Sequence, residues 1–266
     1  MISIVTSLYR TDRYLDKFSQ RLISVVKYLT DHNVDFELIA IANDPTEAEK
    51  AFGERFKQEK WFNFVSVPRE TLYTTWNRGV ELAKGEAVGF WNVDDRRYPK
   101  AIEEASKWFK QGADLVYFPF LIIWYYNIKK WSFPVKFRFD RSINYDKREF
   151  TRSMCCGPFF MFTKELYNKV GPFDEQFKIV GDFDWCIRAA KISDKFILAK
   201  NSAGVFRVDG NGLSSGGKPI HVAENNIVLR RHDAPDKIMP VDSKLEEKYQ
   251  VQSIFYKGNF IAINKS

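Results

Sequence analysis

Along its first part the chain alternates short apolar runs with stretches whose apolar residues recur at helical spacing. Ile2 to Ser7 reads as a buried strand, and Tyr14, Leu15, Phe18, Leu22, Val25, Val26 and Leu29 then share one helix face. The alternation continues with a strand from Phe36 to Ala42 and a charged helix carrying Ala48, Ala51, Phe52 and Phe56. A strand from Trp61 to Val67 and a helix from Thr74 to Ala83 follow. A fourth run, Ala87 to Trp91, ends abruptly in polar and acidic residues, as a buried central strand bounded by breakers does. Such alternation predicts right-handed βαβ crossovers and a mostly parallel sheet.

After Pro99, Ala101, Ile102, Ala105, Trp108 and Phe109 predict a helix that stops at Gly112. The pattern then changes. Residues 114 to 139 read as long strands around a turn near Asn127, a hairpin instead of another βαβ unit. The apolar run Phe159 to Phe162 leads into a short helix ending near Gly171, and a further helix spans Asp182 to Ile192. Phe196 to Ala199 and Val205 to Val208 precede a Gly/Ser loop from Gly210 to Gly217 and a helix from His221 to His232. The expected organisation is an α/β domain over residues 1–220, parallel in its N-terminal half and mixed in its C-terminal half. A C-terminal helical extension is expected over 221–266.

Candidate chemistry gathers at the strand ends. Ligands of open α/β sheets lie outside the carboxyl ends of the strands, where Asn92-Val93-Asp94-Asp95 and Asn43-Asp44 fall. Adjacent carboxylates there favour a hard divalent cation, which takes one or two carboxylates and completes its shell with phosphate oxygens and water. The same residue types start turns and cap helices, so the pattern alone leaves both readings open. Asp182 in Gly181-Asp182-Phe183-Asp184 either caps its helix or projects into a cleft as a general base. Asp184 and Arg188 have the spacing of a surface ion pair. Gly212 to Lys218 spells G-x-x-x-x-G-K, but Pro219 replaces the Ser/Thr of a phosphate-binding P-loop, and the motif does not follow the first strand. A loop closing over a ligand is the better expectation.

The net charge of +7 is modest and spread along the chain. It permits a nucleotide, a phospholipid surface or an anionic polymer, while the lack of a basic block argues against nucleic acid. Cys155, Cys156 and Cys186 have neither disulfide-framework nor zinc spacing, which suits a reducing cytosol. No leader-like or membrane-spanning run occurs. A cytoplasmic location is expected. The aromatic, basic stretch from Tyr117 to Phe139 adds peripheral contact with the inner face of a membrane as a lesser expectation.

In this order the motifs resemble those of family 2 (GT-A fold) nucleotide-sugar glycosyltransferases, over residues 1 to 215. Ser3-Ile4-Val5-Thr6-Ser7-Leu8-Tyr9 resembles the opening strand, and Ile41-Ala42-Asn43-Asp44-Pro45-Thr46 the nucleotide-contacting Asp turn. Asn77-Arg78-Gly79 with Ala83-Lys84-Gly85-Glu86 resembles the helix leading into the metal strand. Asn92-Val93-Asp94-Asp95 stands where the family has its DxD. Val170-Gly171-Pro172-Phe173-Asp174-Glu175, followed by Gly181-Asp182-Phe183-Asp184, resembles the late GxFDE and acidic base motifs.

The resemblance implies a GT-A-type Rossmann-like sheet with an acceptor-binding C-terminal half. It implies hexosyl transfer with inversion from a nucleoside-diphosphate sugar, such as a UDP sugar, to a saccharide or glycolipid hydroxyl in surface polysaccharide or glycolipid assembly. Thr6, Asp44 and Asn92 would bind the nucleotide. Asp94, with Asp209, would hold Mn²⁺ or Mg²⁺ on the diphosphate, and Asp182 would deprotonate the acceptor. Four residues depart from the family pattern: Asn92 for the first acid of DxD, Trp76 for an Arg, Gly181 for a Glu, and Asp209 for a His. They make a catalytically silent nucleotide-sugar-binding module the alternative.

Overall fold

The computed structural model describes residues 1–128, 131–210, 212 and 219–240, and the backbone of 253–256 and 259–262. Its first part follows the periodicity: β1 (Ile2–Leu8), α1 (Asp12–Asp31), β2 (Phe36–Asn43), α2 (Glu47–Phe56), β3 (Phe62–Val67), α3 (Leu72–Leu82) and β4 (Ala87–Phe90). Local chemistry starts these helices where the sequence changes period. Thr46 accepts the Glu49 N–H while the Glu49 side chain returns to the Thr46 N–H, a capping box that opens α2. Glu49 also accepts from the backbone N–H and hydroxyl of Thr11, tying the loop after β1 to the same helix start.

The order then becomes β5 (Arg96–Arg97), α4 (Pro99–Lys110), β6 (Leu115–Tyr117), β7 (Phe120–Ile128), β8 (Trp131–Asp140), α5 (Lys147–Phe150), β9 (Met161–Thr163) and α6 (Lys164–Val170). After these come α7 (Gly181–Ile192), β10 (Phe196–Leu198), β11 (Gly204–Val208) and α8 (Pro219–Arg231). Two short strands, β12 (Ser253–Tyr256) and β13 (Asn259–Ala262), pair antiparallel in the C-terminal segment.

The main sheet runs β10-β6-β9-β4-β1-β2-β3, so β4 is its middle strand. β1, β2, β3 and β4 are parallel, and β9 enters antiparallel between β4 and β6. Leu115–Tyr117 is not part of the hairpin; it is a main-sheet strand, and only β7 and β8 form the hairpin. The physical reason is burial: Leu115, Val116 and Tyr117 are sealed on both faces, which the hairpin's outer strand is not.

Two apolar layers flank the sheet. One joins α1, α2 and α4 around Phe18, Leu22, Phe52 and Ile102. The other gathers α3, α6, α7 and the end of α8 around Trp76, Phe173, Trp185 and Leu229. A fully buried aliphatic or aromatic side chain of this kind contributes on the order of 2–3 kcal/mol relative to exposure. A second sheet, β5-β11-β7-β8, leans on the first. Gly204 is required at its β5–β11 contact, since a Cβ there would lie 1.7 Å from the Arg96 carbonyl oxygen.

Candidate active site

The strand order reverses at β1: β2 and β3 lie to one side, β4 and the rest to the other. Open α/β sheets place their ligands at such a reversal, here at the carboxyl ends of β1 and β4. Within Asn92-Val93-Asp94-Asp95 the two acids have different tasks. Asp95 is buried; its Oδ1 accepts the Arg207 N–H at 2.8 Å and its Oδ2 lies 3.4 Å from the Asn92 amide. Burial and the neighbouring Asp94 charge push its carboxyl well above the ordinary range. Asp95 therefore fastens the turn to β11. Arg21 of α1 holds the same turn from the other side, donating to the carbonyls of Asp94 and Asp95 at 3.5 and 2.9 Å.

Asp94 is partly buried and makes neither of the side-chain bonds of Asp95. Burial raises its pKa, the Asp209 charge adds to the rise, and Arg207 and Arg13 oppose it. Asp209 follows β11 and reaches the same place from more than a hundred residues away. Its Oδ2 accepts the Tyr14 hydroxyl at 2.9 Å and Arg207 Nε at 3.1 Å, and pairs with Arg13 at 3.5 Å. Burial and this bond push Tyr14 up to about 12, so Tyr14 stays a donor at neutral pH. The Arg207 guanidinium also lies over the Tyr125 ring, 3.9 Å from its centroid.

A divalent cation fits this donor set on one condition. Among the described residues no group of three or more His, Cys, Asp or Glu assembles. A cation here would rest on Asp94 and Asp209 and draw its remaining ligands from diphosphate and water, the usual arrangement for Mg²⁺. Asp209 would share its oxygens with Tyr14 and the two arginines.

At the end of β2, Asn43 is buried and structural: it accepts the Glu70 N–H and donates to the Thr75 hydroxyl, both at 3.1 Å. Asp44 is exposed, with φ 44°, and accepts from Arg10 at 3.1 Å. Thr6 lies inside β1, and its buried hydroxyl oxygen has no protein partner.

Asp182 stands at the start of α7, partly buried. The Tyr73 hydroxyl of α3 donates to its Oδ1 at 3.2 Å, and the Phe183 N–H to the same oxygen at 2.9 Å. Burial pushes Asp182 up to about 6, against the pull of those two donors. Gly181 has a steric reason: a Cβ there would lie 2.7 Å from the Tyr73 ring. Trp76, by contrast, faces the core, stacked on Phe90 with centroids 3.8 Å apart. Asn77 likewise holds the chain around Phe173 together, bonding its N–H and carbonyl at 2.8 and 2.9 Å.

Asp184 and Arg188 are not a surface pair. Both are buried, 2.8 Å apart, and Asp184 also meets Arg231 at 3.4 Å and His232 at 3.0 Å. The closing loop expected over Gly210 to Gly217 lies, apart from Gly210 and Gly212, outside the described residues. Periodicity did not reveal Arg13, Arg207 or Tyr73 as site residues, and it assigned Tyr14 to an apolar helix face; no local pattern marks any of them.

This sheet and its reversal point have the GT-A architecture. The family model of glycosyl transferase family 2 matches residues 3–171, and the chain belongs to that family. An uncharacterized glycosyltransferase of Methanocaldococcus jannaschii is 23% identical over 218 residues, spanning 78% of this chain and 71% of the relative. A PGL/p-HBAD biosynthesis glycosyltransferase of Mycobacterium bovis is 24% identical over 160 residues, 58% of each chain. The crystal structure of S. aureus TarS 1-349 in complex with UDP-GlcNAc shares the fold, with TM-score 0.65 and 12% identity, covering 93% of this chain and 70% of that one.

Proposed function

We propose that this glycosyltransferase takes its sugar from a nucleoside-diphosphate sugar, a UDP sugar in the first instance, and transfers it with inversion to an acceptor hydroxyl. The carrying observation is that the Asp94–Asp95 turn is bonded through Asp95 to Arg207, whose guanidinium pairs with Asp209 beside Arg13. Carboxylates interleaved with guanidinium groups suit a diphosphate and its cation. The UDP-GlcNAc bound by TarS supports a uridine donor.

In this reading Thr6, Asp44 and Asn92 bind the nucleotide, Thr6 through its buried, unpartnered hydroxyl. Mn²⁺ or Mg²⁺ on Asp94 and Asp209 would offset charge on the diphosphate. Asp182 accepts the proton of the acceptor hydroxyl. The freed oxygen attacks the anomeric carbon from the face opposite the diphosphate. A C–O bond forms as the glycosyl–phosphate C–O bond breaks, and the electron pair leaves with the diphosphate.

The acceptor side is proposed to touch a membrane surface. Among the described residues no helix is long and apolar enough to cross a membrane. β8, however, exposes Trp131, Phe133, Val135, Phe137 and Phe139, each about half exposed or more. Lys136 and Arg138 lie over Trp124, 5.1 and 5.8 Å from its centroid. A headgroup layer can surround both faces of such a strand, while its place at the edge of the sheet among the described residues keeps it out of the hydrocarbon. A saccharide or glycolipid acceptor at that surface, in surface polysaccharide or glycolipid assembly, follows as the working assignment.

Incubation with a panel of nucleotide sugars, Mn²⁺ or Mg²⁺ and varied acceptors tests this by nucleoside diphosphate release. Turnover that disappears in Asp94→Ala and Asp182→Asn is expected. Nucleotide-sugar binding without turnover would favour the silent module, the reading that Asn92 in place of an acid favours.

A further inference from the structure

α7 begins without a side-chain cap: Val180 occupies the N-cap position. The segment just before it is instead held by a side chain from α8. Glu224 is buried, and its Oε1 accepts the Lys178 N–H at 2.9 Å. Its Oε2 accepts the N–H groups of Ile179 at 2.9 Å and Val180 at 3.3 Å. Three consecutive backbone donors thus end on one carboxylate, which leaves the loop one backbone path. The carbonyl of Ile179 in turn receives the Tyr73 hydroxyl at 2.7 Å, the same hydroxyl that reaches Asp182. The chain of contacts runs from Glu224 through residues 178–180 and Tyr73 to the Asp182 carboxylate.

We infer that Glu224 is a positioning residue for Asp182: it sets the entry of α7, and with it where the Asp182 oxygens point. The inference rests on Asp182 being the base. Farther along α8, Arg231 pairs with Asp174 at 2.9 Å and Leu229 packs into the core, so the helix is anchored independently of Glu224. That separation makes the role testable. Glu224 hydrogen-bonds the loop, whereas Leu229 contributes through the apolar core alone.

The experiment compares Glu224→Ala, Glu224→Gln and Leu229→Ala with the wild type, using the nucleotide sugar that the panel identifies. Three readouts are taken: kcat, UDP affinity, and hydrogen exchange at residues 178–183. Glu224→Ala should lower kcat roughly 10- to 100-fold, the scale set by a misplaced catalytic group, with UDP affinity unchanged. Exchange should rise at 178–180. Glu224→Gln, which keeps one acceptor oxygen and nearly the same shape, should fall between Glu224→Ala and wild type. Leu229→Ala should lower Tm and leave kcat within about two-fold, because it keeps the three bonds from Glu224 to the loop. A wild-type kcat in Glu224→Ala, or an equal loss in Leu229→Ala at matched Tm, overturns the inference while Asp182→Asn stays inactive. Full turnover by Asp182→Asn would sink the base assignment itself, leaving Glu224 nothing to position. Absence of turnover by the wild type on the whole panel would sink both.

Discussion

The Tyr73 hydroxyl stands 3.2 Å from Asp182 Oδ1 and 2.7 Å from the Ile179 carbonyl, binding a helix of one βαβ unit to the acid at the head of α7. Removing that hydroxyl should loosen the acid without emptying the core. Tyr73→Phe is expected to lower kcat about 10-fold, with Tm little changed. Gly181→Ala should do more damage, since the new methyl group meets the Tyr73 ring at 2.7 Å. Steady-state kinetics beside thermal melts distinguish the two.

The base proposed at Asp182 would act only when ionised, and burial raises its pKa to about 6. The rate should therefore rise with pH through about 6 and level off above it. Tyr73 donates to the carboxylate and so favours the ionised form; its loss should move the acidic limb upward. A pH–kcat profile of wild type and Tyr73→Phe measures both. A limb that moves down, or does not exist, would count against Asp182 as the base.

Asp94 and Asp95 are neighbours that should fail in different assays. Asp94→Ala removes a carboxylate already repelled by Asp209, so turnover should vanish while Tm holds or rises. Asp95→Ala leaves the partly buried Arg207 N–H without its acceptor and should cost about 1 kcal/mol of stability. Denaturant titration of both variants, with Mn²⁺ titrated against turnover for Asp94→Asn, gives the comparison.

Asp184 lies among Arg188, Arg231 and His232, and their charges and bonds hold its carboxyl well below the usual range despite burial. A depressed folded-state pKa contributes stability that is present above the unfolded value, about 3.9, and is lost as pH falls toward the folded one. Acid unfolding should begin below about pH 4 for the wild type. Asp184→Ala, which strands buried cations, should cost roughly 3–5 kcal/mol at neutral pH. Chemical denaturation across pH checks both.

If the β8 aromatics meet a bilayer, Trp131→Ser with Phe133→Ser should reduce co-flotation with phosphatidylglycerol-containing vesicles by roughly ten-fold. Lys136→Glu with Arg138→Glu should remove the preference for anionic over neutral vesicles. Turnover of a soluble acceptor should stay the same in each. A concentration-dependent dimer that the aromatic substitutions abolish, with no vesicle binding by the wild type, would assign the strand to a second copy.

The sequence by itself determined the first four strands and the helices between them, because strand and helix periods are set by residues near one another in the chain. It also placed Asn43-Asp44, Asn92–Asp95 and Asp182 at element ends, where breakers and capping residues are legible. Only the tertiary structure decided which member of each cluster is available: Asp44 and not Asn43, Asp94 and not Asp95. It inserted β9 between β4 and β6, turned Trp76 into the core and buried the Asp184–Arg188 pair. It also brought Asp209 to Asp94 and Glu224 to the loop before Asp182. Those outcomes depend on partners far away in the sequence, and the desolvation and charge that fix each carboxylate's role exist only once those partners meet.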